Sequence, residues 1–160
     1  LLTMRRNEEA ARDYERVLEL SDDDNERSSW AAHSLAWLML IGEPKLRDNE
    51  RALQLMEEAV RRTPDDTLVA NTFGLALCRA GRFDDAEPVL SANIQRRDNT
   101  SQATDYLCLA WAWHEQGHSD ASTEAWNAAM RTWFAVEESK PLNVIEFQRL
   151  SREVAVEIGK

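Results

Sequence analysis

The sequence predicts an all-α fold in which about three helix-turn-helix units stack side by side and a last helix caps the array. Small residues in the expected second helices recur at a nearly constant period. Ala52 to Ala86 spans 34 residues (86 − 52 = 34), and Ala86 to Ser122 spans 36 (122 − 86 = 36). The 160 residues contain only five glycines and four prolines, so long stretches are free to be helical. These observations indicate a helical-repeat array forming a single domain over residues 1–160.

The first expected element is a helix over residues 7–20. Ala10, Tyr14 and Val17 are spaced by four and three residues and form the apolar stripe of a second helix, with no first helix before it. A lone second helix cannot bury this stripe. We therefore expect the chain to be cut from a larger protein, with at least one more helix upstream, and we expect the open face to be partly exposed or covered by a second copy in a homodimer.

The first complete unit is expected over residues 26–64, with an extended turn between its helices. The distance from Ala10 to Ala52 is 42 residues (52 − 10 = 42), which is longer than the period of the later units. The segment 41–47 accounts for the excess, because Gly42 and Pro44 interrupt a continuous helix and lengthen the turn.

The second unit is expected over residues 65–100 and the third over 101–139. In each, a small residue is expected where the two helices cross, and Gly81 or Gly117 is expected at the turn. An amphipathic helix over residues 142–158 then follows and is expected to cap the array, apolar inward and charged outward.

This pattern resembles the tetratricopeptide repeat (TPR), a helix-turn-helix unit of about 34 residues. The stretches 35–38, 44–52, 71–81 and 107–112 also resemble the C-terminal TPR arrays of multidomain bacterial serine/threonine protein kinases. The resemblance implies a right-handed α-solenoid, a non-catalytic protein–protein interaction scaffold within a bacterial signalling kinase, and a cytoplasmic location. The sequence contains neither a Gly-rich phosphate loop nor H-R-D, so kinase activity is not part of the expectation.

Composition limits the kind of partner. The net charge of −10 disfavours nucleic acid and anionic membrane surfaces, because both repel an acidic protein at long range. No run of apolar residues is long enough to span a membrane. We expect a basic or apolar protein or peptide segment instead, and no cofactor. Cys78 and Cys108 have no C-x-x-C spacing and are expected to be packed free thiols.

One string matches a catalytic motif. The sequence from His114 to His118 reads H-E-x-x-H, which in metalloproteases places two imidazoles on one helix face around zinc. Gly117 falls at the turn position of the repeat, so the helix is expected to end between the two histidines. We therefore expect no metal site and no enzymatic activity.

The expected binding surface is the concave face of the array, which the first helices of the three units line. Side chains not needed for packing against second helices point to this face and could hold an extended peptide. The residues assigned to it are Trp30, His33, Trp37, Asn71, Leu75, Arg79, Leu107, Trp111 and His114.

Two alternatives remain open from the sequence. The same side chains could simply pack against neighbouring helices. The array could also be a structural spacer, or could self-associate within a multidomain protein.

Overall fold

The computed structural model describes residues 2–21, 26–96, 102–135 and 144–159. These ranges form eight α-helices and one short 3-10 helix, and contain no strand. The predicted all-α class is therefore confirmed. The helices are α1 (Leu2–Leu20), α2 (Glu26–Ile41), α3 (Asn49–Arg62), α4 (Thr67–Arg79), α5 (Phe83–Ile94), α6 (Gln102–Glu115), α7 (Ser119–Ala135) and α8 (Val144–Glu157), with the 3-10 helix at Pro44–Leu46.

Helix α1 begins at Leu2, five residues before the expected start at 7. Residues 97–100 and 136–139, which the sequence assigns to the ends of the second and third units, lie outside the described residues. No helix within the described ranges is long and apolar enough to cross a membrane.

Helices α3 and α4 begin at aspartate N-caps. The Asp48 carboxylate accepts a hydrogen bond from the backbone N–H of Arg51 at 3.0 Å. The Asp66 carboxylate accepts from Leu68 N at 2.8 Å and from Val69 N at 3.1 Å. Each cap satisfies donors that have no partner inside the helix, and so fixes where the helix starts.

Glycines in the left-handed region follow α4 and α6. Gly81 has φ +71° and Gly117 has φ +81°, and they are 36 residues apart (117 − 81 = 36). Few other residues adopt this backbone conformation cheaply, so each glycine ends its helix and turns the chain into the next one.

The helices pack in chain order. Each helix from α1 to α6 contacts the next one, and α2, α4 and α6 also contact one another in sequence. The short connections make consecutive helices antiparallel. The result is a repeat-like arrangement in which α2, α4 and α6 form a row. We call the side of this row on which α8 lies the α2–α4–α6 face.

Small residues allow the two helices of a pair to approach closely. A Cβ atom added to Gly74 would lie 2.3 Å from Leu90 Cδ2, so α4 and α5 meet where only glycine fits without a shift. In the next pair the Ser122 hydroxyl donates to the carbonyl oxygen of Ala110 at 2.7 Å. The expectation of small residues at the crossings is met at both pairs.

Helix α8 does more than close the end of the array. It packs against α6 and reaches back to α2, the first helix of the row. Its Phe147 stacks on Trp133 of α7 with ring centroids 3.8 Å apart, and its Glu153 forms an ion pair with Arg79 of α4. One helix therefore contacts all three members of the row.

Candidate functional site

The nine residues assigned to the binding face lie on α2, α4 and α6, as the repeat pattern requires. The structure does not gather them into one open surface. It divides them into an open pocket at the N-terminal end, a buried set next to α8, and two exposed residues at the margins.

The open pocket lies between α1, α2 and α4, and has a volume of about 290 Å³. We call it the N-terminal pocket. Three of the predicted residues line it together, namely His33, Trp37 and Asn71. The other lining residues are Asn7, Ala10, Tyr14, Ser34, Leu38, Leu68 and Glu146.

His33 is held in place through its ring. Its Nδ1 atom forms a hydrogen bond of 2.8 Å with the Thr72 hydroxyl on α4. Burial lowers the pKa of His33 from its ordinary value of 6.5, and the nearby Asp66 carboxylate opposes part of that shift. The imidazole is therefore neutral at physiological pH, and offers one donor and one acceptor nitrogen.

Asn71 is oriented by a buried carboxylate. Its amide nitrogen donates to Asp105 Oδ1 at 2.7 Å, and Asn93 donates to Asp105 Oδ2 at 3.0 Å. Asn93 also donates to the carbonyl oxygen of Thr67 at 3.0 Å. One of the two amide N–H groups of Asn71 is committed to this carboxylate, which can only accept. The amide oxygen of Asn71, a residue that is only 2% exposed, could accept from an N–H donor of a ligand.

The pocket is acidic. Glu146 of α8 lines it, and the Asp66 carboxylate is close enough to act on the pKa of His33. The whole chain carries a net charge of −10. A ligand with a cationic side chain and backbone N–H donors therefore matches the pocket better than an anionic one.

Four more predicted residues are packed in the interior or against α8. Leu75 and Leu107 are fully buried, and Trp111 is only 9% exposed. The Trp111 ring is contacted by Phe83, with centroids 5.8 Å apart, and by the Arg79 guanidinium, 5.5 Å from the ring centroid. These side chains therefore do not form an open surface for a partner, and Arg79 is already paired with Glu153 of α8.

The last two predicted residues are exposed at opposite margins. His114 lies in the last turn of α6, away from the pocket residues. Trp30 is 55% exposed, and its ring meets Tyr14 edge-on at 5.4 Å. Since Tyr14 also lines the N-terminal pocket, Trp30 extends the aromatic surface at that end of the molecule.

Sequence reasoning missed the polar groups that hold α8. Glu153 pairs with both Arg79 and Arg47, and Arg149 donates to the carbonyl oxygen of Ile41 at 2.8 Å and to Glu43 at 3.1 Å. Burial alone would raise the pKa of Glu153, but the hydrogen bonds from Arg79 and Arg47 outweigh it and the pKa is lowered. Glu43 and Arg47 come from the inserted turn, which the sequence presented only as a spacer.

The H-E-x-x-H string is broken as expected. Helix α6 ends at Glu115, and Gly117 has a positive φ, so His118 lies in the turn before α7. Among the residues that the structure describes, no group of three or more His, Cys, Asp or Glu side chains could hold a metal ion.

The cysteines are buried free thiols, as predicted. Cys78 Sγ lies 3.6 Å from the carbonyl oxygen of Cys108. The contact with Cys78, together with burial, raises the pKa of the Cys108 thiol. The Cys108 thiol therefore stays protonated, and both side chains act as apolar packing.

Comparisons with models of known protein families, with curated proteins and with solved structures give no match for this chain.

Proposed function

We propose that this chain is a TPR-like helical-repeat module that binds a segment of another protein, or of its own longer polypeptide, without catalysis. Three features support a solenoid of such units, and its right-handed sense is what the TPR resemblance implies. They are the contacts between successive helices, the row formed by α2, α4 and α6, and the turn glycines 36 residues apart (117 − 81 = 36). The sequence resemblance extends the proposal to a cytoplasmic module of a larger bacterial signalling kinase.

The observation that carries the binding function is the composition of the N-terminal pocket. It combines apolar and aromatic walls from Trp37, Tyr14 and Leu68 with the amide of Asn71 and the carboxylate of Glu146. Apolar walls with a few fixed polar groups are typical of ligand sites. The occupant proposed here is an extended peptide segment. Its backbone N–H groups bond the Asn71 amide oxygen, and a lysine or arginine reaches Glu146.

The test is a selection of binders from a random peptide library on the full 160-residue chain. Leu68 is 40% exposed at the pocket, so Leu68→Arg adds bulk and positive charge there. Peptides selected on the wild type should be rich in Lys, Arg and apolar residues, and should bind Leu68→Arg at least tenfold more weakly by fluorescence anisotropy. The matched control is Val156→Arg. Val156 is 79% exposed on α8, about 15 Å along that helix from Glu146. Equal affinity for the two variants, or no enrichment at all, would overturn the pocket as the site.

A second candidate function is self-association or spacing through the same end of the molecule. Exposed apolar side chains favour it, since Trp30 is 55% and Leu20 is 73% exposed on α2 and α1. Light scattering across concentration separates the two. A dimer in the wild type that is lost in Trp30→Glu would support self-association, whereas a monomer at every concentration would leave peptide binding as the function.

A further inference from the structure

Helix α8 packs on the α2–α4–α6 face, and its contacts show which side chains this face holds. Its apolar residues lie at intervals of three and four positions, which places them on one side of a helix. All four are buried: Phe147, Leu150, Val154 and Ile158. The opposite side of α8 carries Val156, which is largely exposed.

Polar groups fix the direction and position of α8 on the face. Ile41 is the last residue of α2, so its carbonyl oxygen has no partner within that helix. Arg149 donates to this oxygen at 2.8 Å. One turn further along α8, Glu153 lies between two cations, Arg79 of α4 and Arg47 of the inserted turn. The face therefore favours a helix that carries a cationic side chain and, four residues further along the same helix, an anionic one.

The ion pairs that attach α8 to the rest of the chain are partly exposed to solvent. The side chains of Arg47, Glu153 and Arg149 are 34%, 28% and 35% exposed, so water and salt screen their ion pairs. The helices of the row satisfy their backbone hydrogen bonds internally and pack against α3, α5 and α7 as well. The row therefore has packing partners of its own, whereas α8 packs mainly on this face.

We propose that the α2–α4–α6 face binds an amphipathic helix from a partner protein, and that α8 is the intramolecular occupant that this helix displaces. The partner helix carries apolar residues at positions i, i+3 and i+7, an arginine or lysine at i+2 and a carboxylate at i+6, as α8 does from Phe147 onward. The inference rests on the proposed function, because it takes the array to be a protein-binding module. The N-terminal pocket adjoins this face, since Glu146 of α8 lines it, and the partner proposed here is helical whereas the ligand proposed for the pocket is extended.

The probe is a fluorescent synthetic peptide with the sequence of residues 144–159, which stands in for the partner helix. It is titrated against four full-length chains: wild type, Glu153→Arg, Val154→Asp and Arg152→Glu. In the wild type the tethered α8 competes at high effective concentration, so the peptide binds weakly. Glu153→Arg and Val154→Asp each weaken this internal competitor without altering the face. Both should bind the peptide at least tenfold more tightly than the wild type does. Arg152 is exposed on α8, so Arg152→Glu is the charge-reversal control and should behave as the wild type.

Circular dichroism checks that each variant keeps its helices, and hydrogen exchange checks that protection is lost only in α8. A peptide carrying Glu153→Arg should not bind any of the opened chains. Equal affinity of the wild-type peptide for all four chains, or no binding to either opened chain, would overturn the proposal. Dimers that exchange α8 between copies, seen as mixed labels in size-exclusion chromatography, would overturn it in favour of a second copy as the occupant. Leu68 is not among the residues that pair with Arg149 or Glu153 of α8, so weaker binding of the library-selected peptides to Leu68→Arg tests the pocket, whereas the titration of the α8 peptide tests the face.

Discussion

The two junctions between successive helix pairs differ in polarity, because matching positions hold apolar residues in one and polar residues in the other. Where α3 meets α4 the positions hold Ala59 and Val69, and both are buried. Where α5 meets α6, the residues 34 and 36 positions later are Asn93 and Asp105 (93 − 59 = 34; 105 − 69 = 36), which are buried as well. One junction is held by apolar contact and the other by a hydrogen-bonded carboxylate.

The difference shows that this helix arrangement does not require one kind of interface. Apolar contact stabilises the first junction without directional constraint. At the second, a misaligned pair of helices would leave Asp105 or the amide of Asn71 without its partner, so the polar contacts favour a single alignment. They also orient Asn71, which lines the N-terminal pocket. The hydrogen bonds of the second junction therefore also position a residue of the candidate site.

The largest effect is expected from Asp105→Ala. This change leaves the buried amides of Asn71 and Asn93 without the acceptor they share, and should lower the free energy of unfolding by about 2–4 kcal/mol. Urea denaturation followed by circular dichroism measures it. The double variant Asn93→Ala, Asp105→Val resembles the other junction and should recover part of the loss, because Asn93 no longer needs the carboxylate while the Asn71 amide still lacks it. A double variant as unstable as Asp105→Ala would show that the two junctions are not interchangeable.

A smaller effect is expected at the crossing of α4 and α5. In Gly74→Ala the new methyl group would clash with Leu90. This overpacking should outweigh the higher helix propensity of alanine, so the free energy of unfolding should fall by about 1–2 kcal/mol. The matching position of the first unit already holds Ala36, and there Ala36→Gly should cost only about 0.5–1 kcal/mol. Thermal unfolding of the two variants makes the comparison. A stabilised Gly74→Ala protein would mean that α5 can move away without loss.

The next smaller effect is expected from replacing the glycines in the turns after α4 and α6. Gly117 has φ +81°, so Gly117→Ala should cost about 1 kcal/mol through backbone strain. The added methyl group would meet no atom within 4 Å, so a clash would not contribute. Gly81→Ala should cost a similar amount, whereas Gly159→Ala, with φ +69° after the last helix, should have less effect on global unfolding. Equal losses at all three positions would contradict this ranking.

The smallest effect is expected from the protonation of His33. Its pKa is lowered in the folded protein, so the folded state favours the neutral ring. The resulting stabilisation is fully present above the ordinary value of 6.5 and is lost as the pH falls through the lowered pKa. Unfolding free energies measured from pH 7.5 to pH 5 should therefore decline more in the wild type than in His33→Gln. Parallel pH profiles for the two proteins would assign the change to other groups.

Part of the candidate site was predictable from the sequence. His33 and Trp37 are four residues apart on one helix, so they share a face, and Asn71 lies on the next helix of the row. Local periodicity placed His33 and Trp37 together, and the repeat register placed Asn71 on the neighbouring helix. Neither could show that Leu75 and Trp111 would be buried, because burial depends on how the helices pack.

The sequence by itself determined the helices, the small residues at their crossings and the break at Gly117, since each depends on neighbours a few residues away. Only the tertiary structure showed that α8 packs on the α2–α4–α6 face. Arg47 and Glu153 are 106 residues apart in the chain and meet because α8 packs against the row of α2, α4 and α6. The position of α8 depends on contacts between residues far apart in the chain, and no local pattern in the sequence records it.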